Sequence, residues 1–379
     1  MTTWNLSCSS CGHQEPQDAG VGLCPRCGQP FLVRFTSAPP VRERILARWD
    51  LWRYAAALPL GADEVPVSLG EGATPLIEAP PLAQLAGVRR LWVKDEGVNP
   101  TASFKARGLA AAVTRARARN VPGLVVPTAG NAGAALAAYA AAAGVPARIY
   151  APATTPRPIL DTIRAMGVDL QTVDGHIGDA GRLAAQFAQE SGYFNVATLR
   201  ESYRVEGNKT LALELAEQLD WNLPDVVVYP TGGGEGVIGM WKAFDEMREW
   251  GWTTAAAPRI IVAQAEGCAP IVRALVQGTD RATPWENPVT HAAGLRVPGP
   301  LGDRLVLRAI RETAGYAGAA SEDAIREATR SIASLTGIDA APEGGCGLAV
   351  LADLVRRGRV DPTAQVVLYN TGSGASYRS

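Results

Sequence analysis

The sequence predicts two doubly wound α/β units preceded by a small cysteine-bound ribbon. Three observations carry this prediction: short apolar runs alternate with helical patterns from Leu124 onward, glycine-rich loops stand where several of those runs end, and four of the six cysteines fall within the first 27 residues. Strands alternating with helices build parallel sheets covered on both faces. A chain of 379 residues that is 47% apolar holds material for two cores. The expected division is 1–36 for the ribbon, 37–206 for the first α/β region and 207–379 for the second.

The ribbon reading rests on Cys8-Ser9-Ser10-Cys11-Gly12 and Cys24-Pro25-Arg26-Cys27-Gly28, two CxxC knuckles each closed by a glycine. Four soft ligands at that spacing favour tetrahedral zinc held by Cys8, Cys11, Cys24 and Cys27. About 36 residues cannot build a core unaided, so the metal would fold the segment, and four sulfurs leave no open coordination position for catalysis. The expected zinc is structural, and thiols used this way suit a reducing compartment.

Lys plus Arg (36) nearly balance Asp plus Glu (37), and a net charge of −1 gives no electrostatic pull toward nucleic acid or an anionic membrane. There is no basic N-terminal segment followed by an apolar core, and no run of about 18 apolar residues. The expected setting is cytoplasmic. The expected partners are a small-molecule amino-acid substrate and a second copy of the chain in a homodimer.

After Pro39-Pro40, the apolar and aromatic residues Ile45, Leu46, Trp49, Trp52 and Leu58 recur at roughly helical spacing and predict an amphipathic docking helix over 41–58. Segment 68–76 is polar and turn-rich, and Leu91-Trp92-Val93-Lys94 reads as a strand. It leads into Asn99-Pro100-Thr101-Ala102-Ser103-Phe104-Lys105-Ala106-Arg107-Gly108. Proline disfavours helix in the residue before it, while the alanine-rich run after Gly108 favours helix, so Lys105 stands near a helix start. The positive end of the helix dipole and nearby Arg107 favour loss of its proton, as an amine nucleophile needs.

Strands are then expected at Leu124–Pro127, 147–151 and Asp169–Val173, with helices at Asn131–Ala143, 156–166 and 178–190. A second series places strands at 225–229, 259–264 and 365–369 with helices at 237–250, 321–335 and 345–356. The site is expected between these two series, outside the strand ends.

Three loops carry the chemistry. Thr128-Ala129-Gly130-Asn131-Ala132-Gly133 follows a strand and opens a helix, so Thr128, Ala129 and Gly130 are set to bind a substrate carboxylate. Asn131 supplies an amide for a ring hydroxyl or, alternatively, a helix cap. Pro230-Thr231-Gly232-Gly233-Gly234-Glu235-Gly236 joins a buried strand to a helix and reads as a phosphate cup, with Glu235 contributing only its backbone. It lacks the Gly-Lys-Ser/Thr ending of a nucleotide loop. Asn370-Thr371-Gly372-Ser373-Gly374 follows the last strand and offers a hydroxyl to a ring nitrogen. A lysine amine, an amide, a phosphate cup and a hydroxyl are together the handles of pyridoxal 5'-phosphate.

The Ser103-Phe104-Lys105 stretch, Gly130-Asn131, the triglycine cup, Thr371-Gly372-Ser373-Gly374, the double-CxxC ribbon, Leu51-Trp52-Arg53-Tyr54 and segment 68–76 resemble threonine synthase over nearly the whole chain. The resemblance implies the tryptophan-synthase-β type of pyridoxal-phosphate fold. It implies a catalytic Lys105 linked to the cofactor, with Phe104, Asn131, Gly232, Gly233, Gly234, Glu235, Gly236 and Thr371 around it. It further implies conversion of O-phospho-L-homoserine and water to L-threonine and phosphate. Arg204, in Ser202-Tyr203-Arg204-Val205-Glu206, resembles the arginine that synthases aim at the substrate phosphate, the other reading being a surface arginine capped by Glu206. Ala106 stands where many synthases have aspartate, and the cup is closer to that of serine and threonine ammonia-lyases. An ammonia-lyase or a β-replacement synthase acting on O-phosphoserine is therefore the alternative within enzymes, and a non-catalytic zinc-ribbon binding protein the alternative outside them.

Overall fold

The structure is a computed structural model that describes residues 2–17 and 22–378. It divides into two compact units. The first takes the chain up to Ala73 together with Lys105–Thr210, and the second takes Thr74–Phe104 with Leu211–Arg378.

In the first unit, strands Gln14–Pro16, Trp4–Cys8 and Phe31–Phe35 form a three-stranded antiparallel sheet in that order, Cys8 standing opposite Phe31. Side chains alternate across a strand, and here Trp4, Leu6 and Cys8 face inward. They share one core with Leu109, Val113 and Tyr203, so the ribbon is part of this unit and not an appendage. Polar contacts reinforce the joint: Ser202 Oγ donates to the Phe31 carbonyl at 2.9 Å, Tyr203 Oη to the Gln17 carbonyl at 2.7 Å, and the Arg115 guanidinium lies 4.9 Å from the Trp4 ring centre.

The same unit holds a four-stranded, wholly parallel sheet in the order Asp169–Val173, Ala147–Pro152, Leu124–Pro127, Phe194–Asn195. Helices Asn131–Ala143, Arg157–Ala165 and Ile177–Ser191 alternate with its strands. Alanines of helix Lys105–Ala118 and of Asn131–Ala143 are buried together, the small side chains allowing close approach. The start of helix Tyr203–Gln218 comes closer still, since a side chain at Gly207 would run into the Arg107 carbonyl.

One element differs from expectation. Segment 41–58 is not a single amphipathic helix but two short 3₁₀ helices, Arg42–Arg44 and Leu51–Ala57. The cause is Asp50, whose extended backbone interrupts the helical path and whose carboxylate caps the second helix by accepting from Trp52 N at 3.1 Å. Arg48 and Ser68 bind the same carboxylate. Trp52 is buried, whereas Trp49, on the interrupted stretch, is 84% exposed.

The second unit is built on a six-stranded sheet in the order Tyr316–Ala320, Arg259–Ala265, Val226–Pro230, Gln365–Asn370, Arg90–Asp95, Leu76–Glu78. Only the edge strand Leu76–Glu78 runs antiparallel. Its core joins Val226, Val228, Ile261, Ala263, Val366 and Leu368 from the sheet to Leu348 and Leu351 of helix Pro342–Arg356 and Ile325 and Ile332 of helix Glu322–Thr336. The register sets Asn370 beside Asp95 at the carboxyl ends of two central strands, where Asn370 Nδ2 donates to Asp95 Oδ1 at 2.8 Å. Burial pushes the Asp95 carboxyl up, against the effect of that bond. Among the described residues no helix is long and apolar enough to cross a membrane.

Candidate active site

The residues before Lys105 are held by a short ladder within the second unit. Asn99 is buried and its Nδ2 donates to the Glu96 carbonyl and to Glu96 Oε2. Ser103 forms an antiparallel bridge with Gly372, Phe104 N donates to the Thr371 carbonyl at 3.1 Å, and Ser373 N donates to the Ala102 carbonyl at 2.9 Å. The Phe104 ring meets Tyr229 edge-on at 5.8 Å. The chain then enters the first unit at Lys105, the first residue of helix Lys105–Ala118.

The chain has only four lysines, Lys94, Lys105, Lys209 and Lys242. Three of them are buried in ion pairs: Lys94 with Glu214 at 2.5 Å, Lys209 with Glu206 at 2.8 Å, and Lys242 with Glu246. Such a lysine is enclosed by protein and closed to a ligand. Lys105 alone is partly exposed.

In the cup, residues 232, 234 and 236 cannot carry side chains. At Gly232 one would run into the Gly294 carbonyl, at Gly234 into Val306, and at Gly236 into the Tyr229 hydroxyl. Gly234 is also left-handed, at φ 86°, where it caps helix Glu235–Glu249. A bare backbone at the amino end of a 15-residue helix fits a phosphoryl anion. Gly233 is half-buried; Glu235 and Thr371 are buried. Within this unit Phe104, Tyr229, the cup and Thr371 are thereby brought together.

In the first unit the Thr128 hydroxyl accepts from Gly130 N at 2.9 Å and from Gly133 N at 3.0 Å. It thus shapes its own loop, and an anion there would meet the remaining backbone of 129–132. Ala129 and Asn131 are half-buried, and Asn131 is the first residue of its helix.

The structure overturns the surface reading of Arg204. It is fully buried, its Nη1 donates to the Val196 carbonyl at 2.7 Å, and Glu206 pairs with Lys209. Its backbone N–H donates to the Glu201 carboxylate.

The sulfurs of Cys8, Cys11, Cys24 and Cys27 all lie within 4.8 Å of one another, with Cys8–Cys27 at 3.3 Å and Cys11–Cys24 at 3.6 Å. Zinc–sulfur bonds of about 2.3 Å in a tetrahedron put sulfurs about 3.8 Å apart, so this set fits zinc. Gly12 and Gly28, both at φ 70°, turn the two knuckles.

The model of the family "Pyridoxal-phosphate dependent enzyme" matches residues 67–372. Threonine synthase of Methanosarcina acetivorans is 33% identical over 374 residues, spanning 97% of this chain and 91% of that protein. The chain belongs to the threonine synthase family of pyridoxal-phosphate-dependent enzymes. Threonine synthase of Methanocaldococcus jannaschii is 32% identical over 376 residues, again spanning 97% and 91%. Among solved structures, a threonine deaminase from T.th. superposes with a TM-score of 0.67 at 26% identity, covering 79% of this chain and 92% of that one. The tryptophan-synthase-β type of fold is thus the family's, with its parallel sheets as described above.

Some of this family site was not legible beforehand. Tyr229, which meets both Phe104 and Gly236, sits in an apolar strand that reads as core. Glu343 and Tyr377 meet only through tertiary structure, and no spacing in the sequence links them.

Proposed function

We propose that the protein is a threonine synthase, converting O-phospho-L-homoserine and water to L-threonine and phosphate with pyridoxal phosphate bound at Lys105. The observation that carries the assignment of the lysine is that the other three are buried while Lys105, opening its helix, is partly exposed. When bound, the cofactor supplies an electron sink for charge developing on the substrate carbons. Lys105 Nζ, at the positive end of its helix, would hold the cofactor and, as a free amine, would take and return protons at the substrate carbons. The backbone N–H groups of 232–236 would hold the cofactor phosphate, the Asn131 amide would suit the ring hydroxyl, and the Thr371 hydroxyl the ring nitrogen. The loop of Thr128, Ala129 and Gly130 would receive the substrate carboxylate on the N–H groups that Thr128 does not engage, and Phe104, braced on Tyr229, would keep Lys105 in register. Arg204 is assigned to the scaffold.

The division of labour proposed for the chain is a ribbon over 1–36 and cofactor-fold regions over 37–206 and 207–379, acting as a cytoplasmic homodimer. Zinc on the four thiols is structural, since a closed sulfur set has no position for substrate. The test is to supply the purified protein with pyridoxal phosphate and O-phospho-L-homoserine. Threonine and phosphate are expected in equal amounts. The glycine-rich cup, Ala106 and the threonine deaminase likeness favour ammonia-lyase chemistry as second reading; a protein that ignores O-phospho-homoserine but deaminates serine or threonine would establish it. Consumption of O-phosphoserine with an added nucleophile would instead indicate β-replacement.

A further inference from the structure

In the second unit the cup is backed by the loop 292–297, whose Gly294 carbonyl lies so close to Gly232 that a side chain at 232 could not be inserted. Gly294 is gripped from its other side: its N–H donates to Oε1 of Glu343 at 2.8 Å, and a side chain at 294 would meet that same oxygen. The oxygen also accepts from the Tyr377 hydroxyl at 2.6 Å. Tyr377 ends the turn Gly374–Tyr377, three residues beyond Thr371 at its start. One carboxyl oxygen therefore joins the wall of the cup, the first turn of helix Pro342–Arg356 and the segment that pairs with the residues before Lys105.

The other oxygen, Oε2, is buried and has no hydrogen-bond partner among the described residues. The side chain is 5% exposed. Two donors on one oxygen and none on the other suit an uncharged acid, whose hydroxyl proton resides on Oε2, better than a carboxylate. Burial pushes the carboxyl in the same direction, with Tyr377, the Gly294 N–H and the charge of His291 opposing. Cys346, on the same helix and itself buried, adds no positive charge. An acid kept uncharged adds no repulsion beside a cup made for a dianion.

We propose that Glu343 is a positioning residue of the cofactor site, acting as a double acceptor that fixes Gly294 behind the phosphate cup and ties it to the closing turn. This rests on the reading that the cup receives the phosphate of pyridoxal phosphate. The carboxamide of Glu343→Gln keeps the accepting oxygen and lacks charge; Glu343→Ala removes both bonds; Tyr377→Phe removes one.

The measurement is the dissociation constant of pyridoxal phosphate from the apoprotein, followed by tryptophan fluorescence, with a melting temperature for each variant. A hydrogen bond contributes a factor of about 2 to 13, so Glu343→Ala is expected to weaken binding about tenfold or more, Tyr377→Phe about threefold, and Glu343→Gln less than twofold. A folded Glu343→Ala protein that binds like the wild type overturns the proposal. So does Glu343→Gln falling as far as Ala, because charge and not acceptance would then be at work. If Glu343→Ala does not fold, unchanged binding by Tyr377→Phe is the overturning result. A wild type that takes up no pyridoxal phosphate overturns the cofactor reading and this proposal with it, an outcome distinct from a wild type that binds and variants that do not follow the order.

Discussion

Replacing Lys94 by methionine tests whether the buried lysines are structural. Lys94 Nζ donates to the Thr74 carbonyl at 2.6 Å, Glu214 Oε1 at 2.5 Å and Gln218 Oε1 at 2.9 Å, and has no exposed surface. Methionine fills much the same space but takes the cation from Glu214, 3% exposed, which keeps Thr74 N at 2.8 Å and Thr74 Oγ1 at 3.1 Å among its partners. Breaking a buried pair by removing one partner costs about 3–5 kcal/mol, which lowers the melting temperature of a unit of this size by about 6–20 °C. The damage reaches the lysine stretch, because Thr74 Oγ1 also binds Glu96, which in turn holds Asn99. Removing both charges in Lys94→Met/Glu214→Leu is expected to recover most of the loss, since no charge is then left unpaired. Calorimetry on the three proteins is the assay. A single variant that loses less than about 1 kcal/mol, or a double variant no better than the single, would refute the reasoning.

Arg204→Ala removes a buried guanidinium, opens a cavity and strips the Val196 carbonyl of its donor. A loss of about 2–4 kcal/mol is expected, with turnover falling alike on every substrate; a selective loss on phosphorylated substrates at unchanged stability would return Arg204 to the substrate. Zinc analysis of protein prepared without chelators is expected to give one equivalent per chain. Stripping the metal should lower the melting temperature of the first unit, because the ribbon shares its core and holds Ser202 and Tyr203; metal-free protein of unchanged stability would contradict this. Glu71 gives a pH dependence. It is fully buried, and burial holds its carboxyl above the ordinary 4.5 although Tyr139 Oη donates to it at 2.7 Å. The unfolded chain releases that proton near 4.5 while the native state retains it, so stability falls as pH rises from there to the native value. Urea midpoints across pH should show the wild type declining relative to Glu71→Gln; a constant gap would count against it.

The alternating strands and helices were legible because their periodicity is local: Leu124–Pro127 and Asn131–Ala143 lie where the pattern puts them. The glycine loops were legible for a related reason, since bare backbone at a strand-to-helix junction has few other uses. Strand Tyr316–Ala320, Tyr-Ala-Gly-Ala-Ala, was not, because small residues that let it pack closely carry no strand signature; a side chain at Gly318 would strike Val350. Nor does any local pattern carry the pairing of Arg90–Asp95 with Gln365–Asn370, which draws 74–104 into the second unit. The buried charges were the hardest to see. Nothing local marks Lys94, Arg204, Glu206 and Lys209 as interior, where each meets a partner that folding supplies.

The most direct test of the central claim is to load the protein with pyridoxal phosphate, reduce it with borohydride and map the modified peptide. With four lysines in the chain the result is unambiguous. The label is expected on the peptide containing Lys105 and absent from Lys105→Ala; a label on Lys94, Lys209 or Lys242, or none at all, would contradict the account.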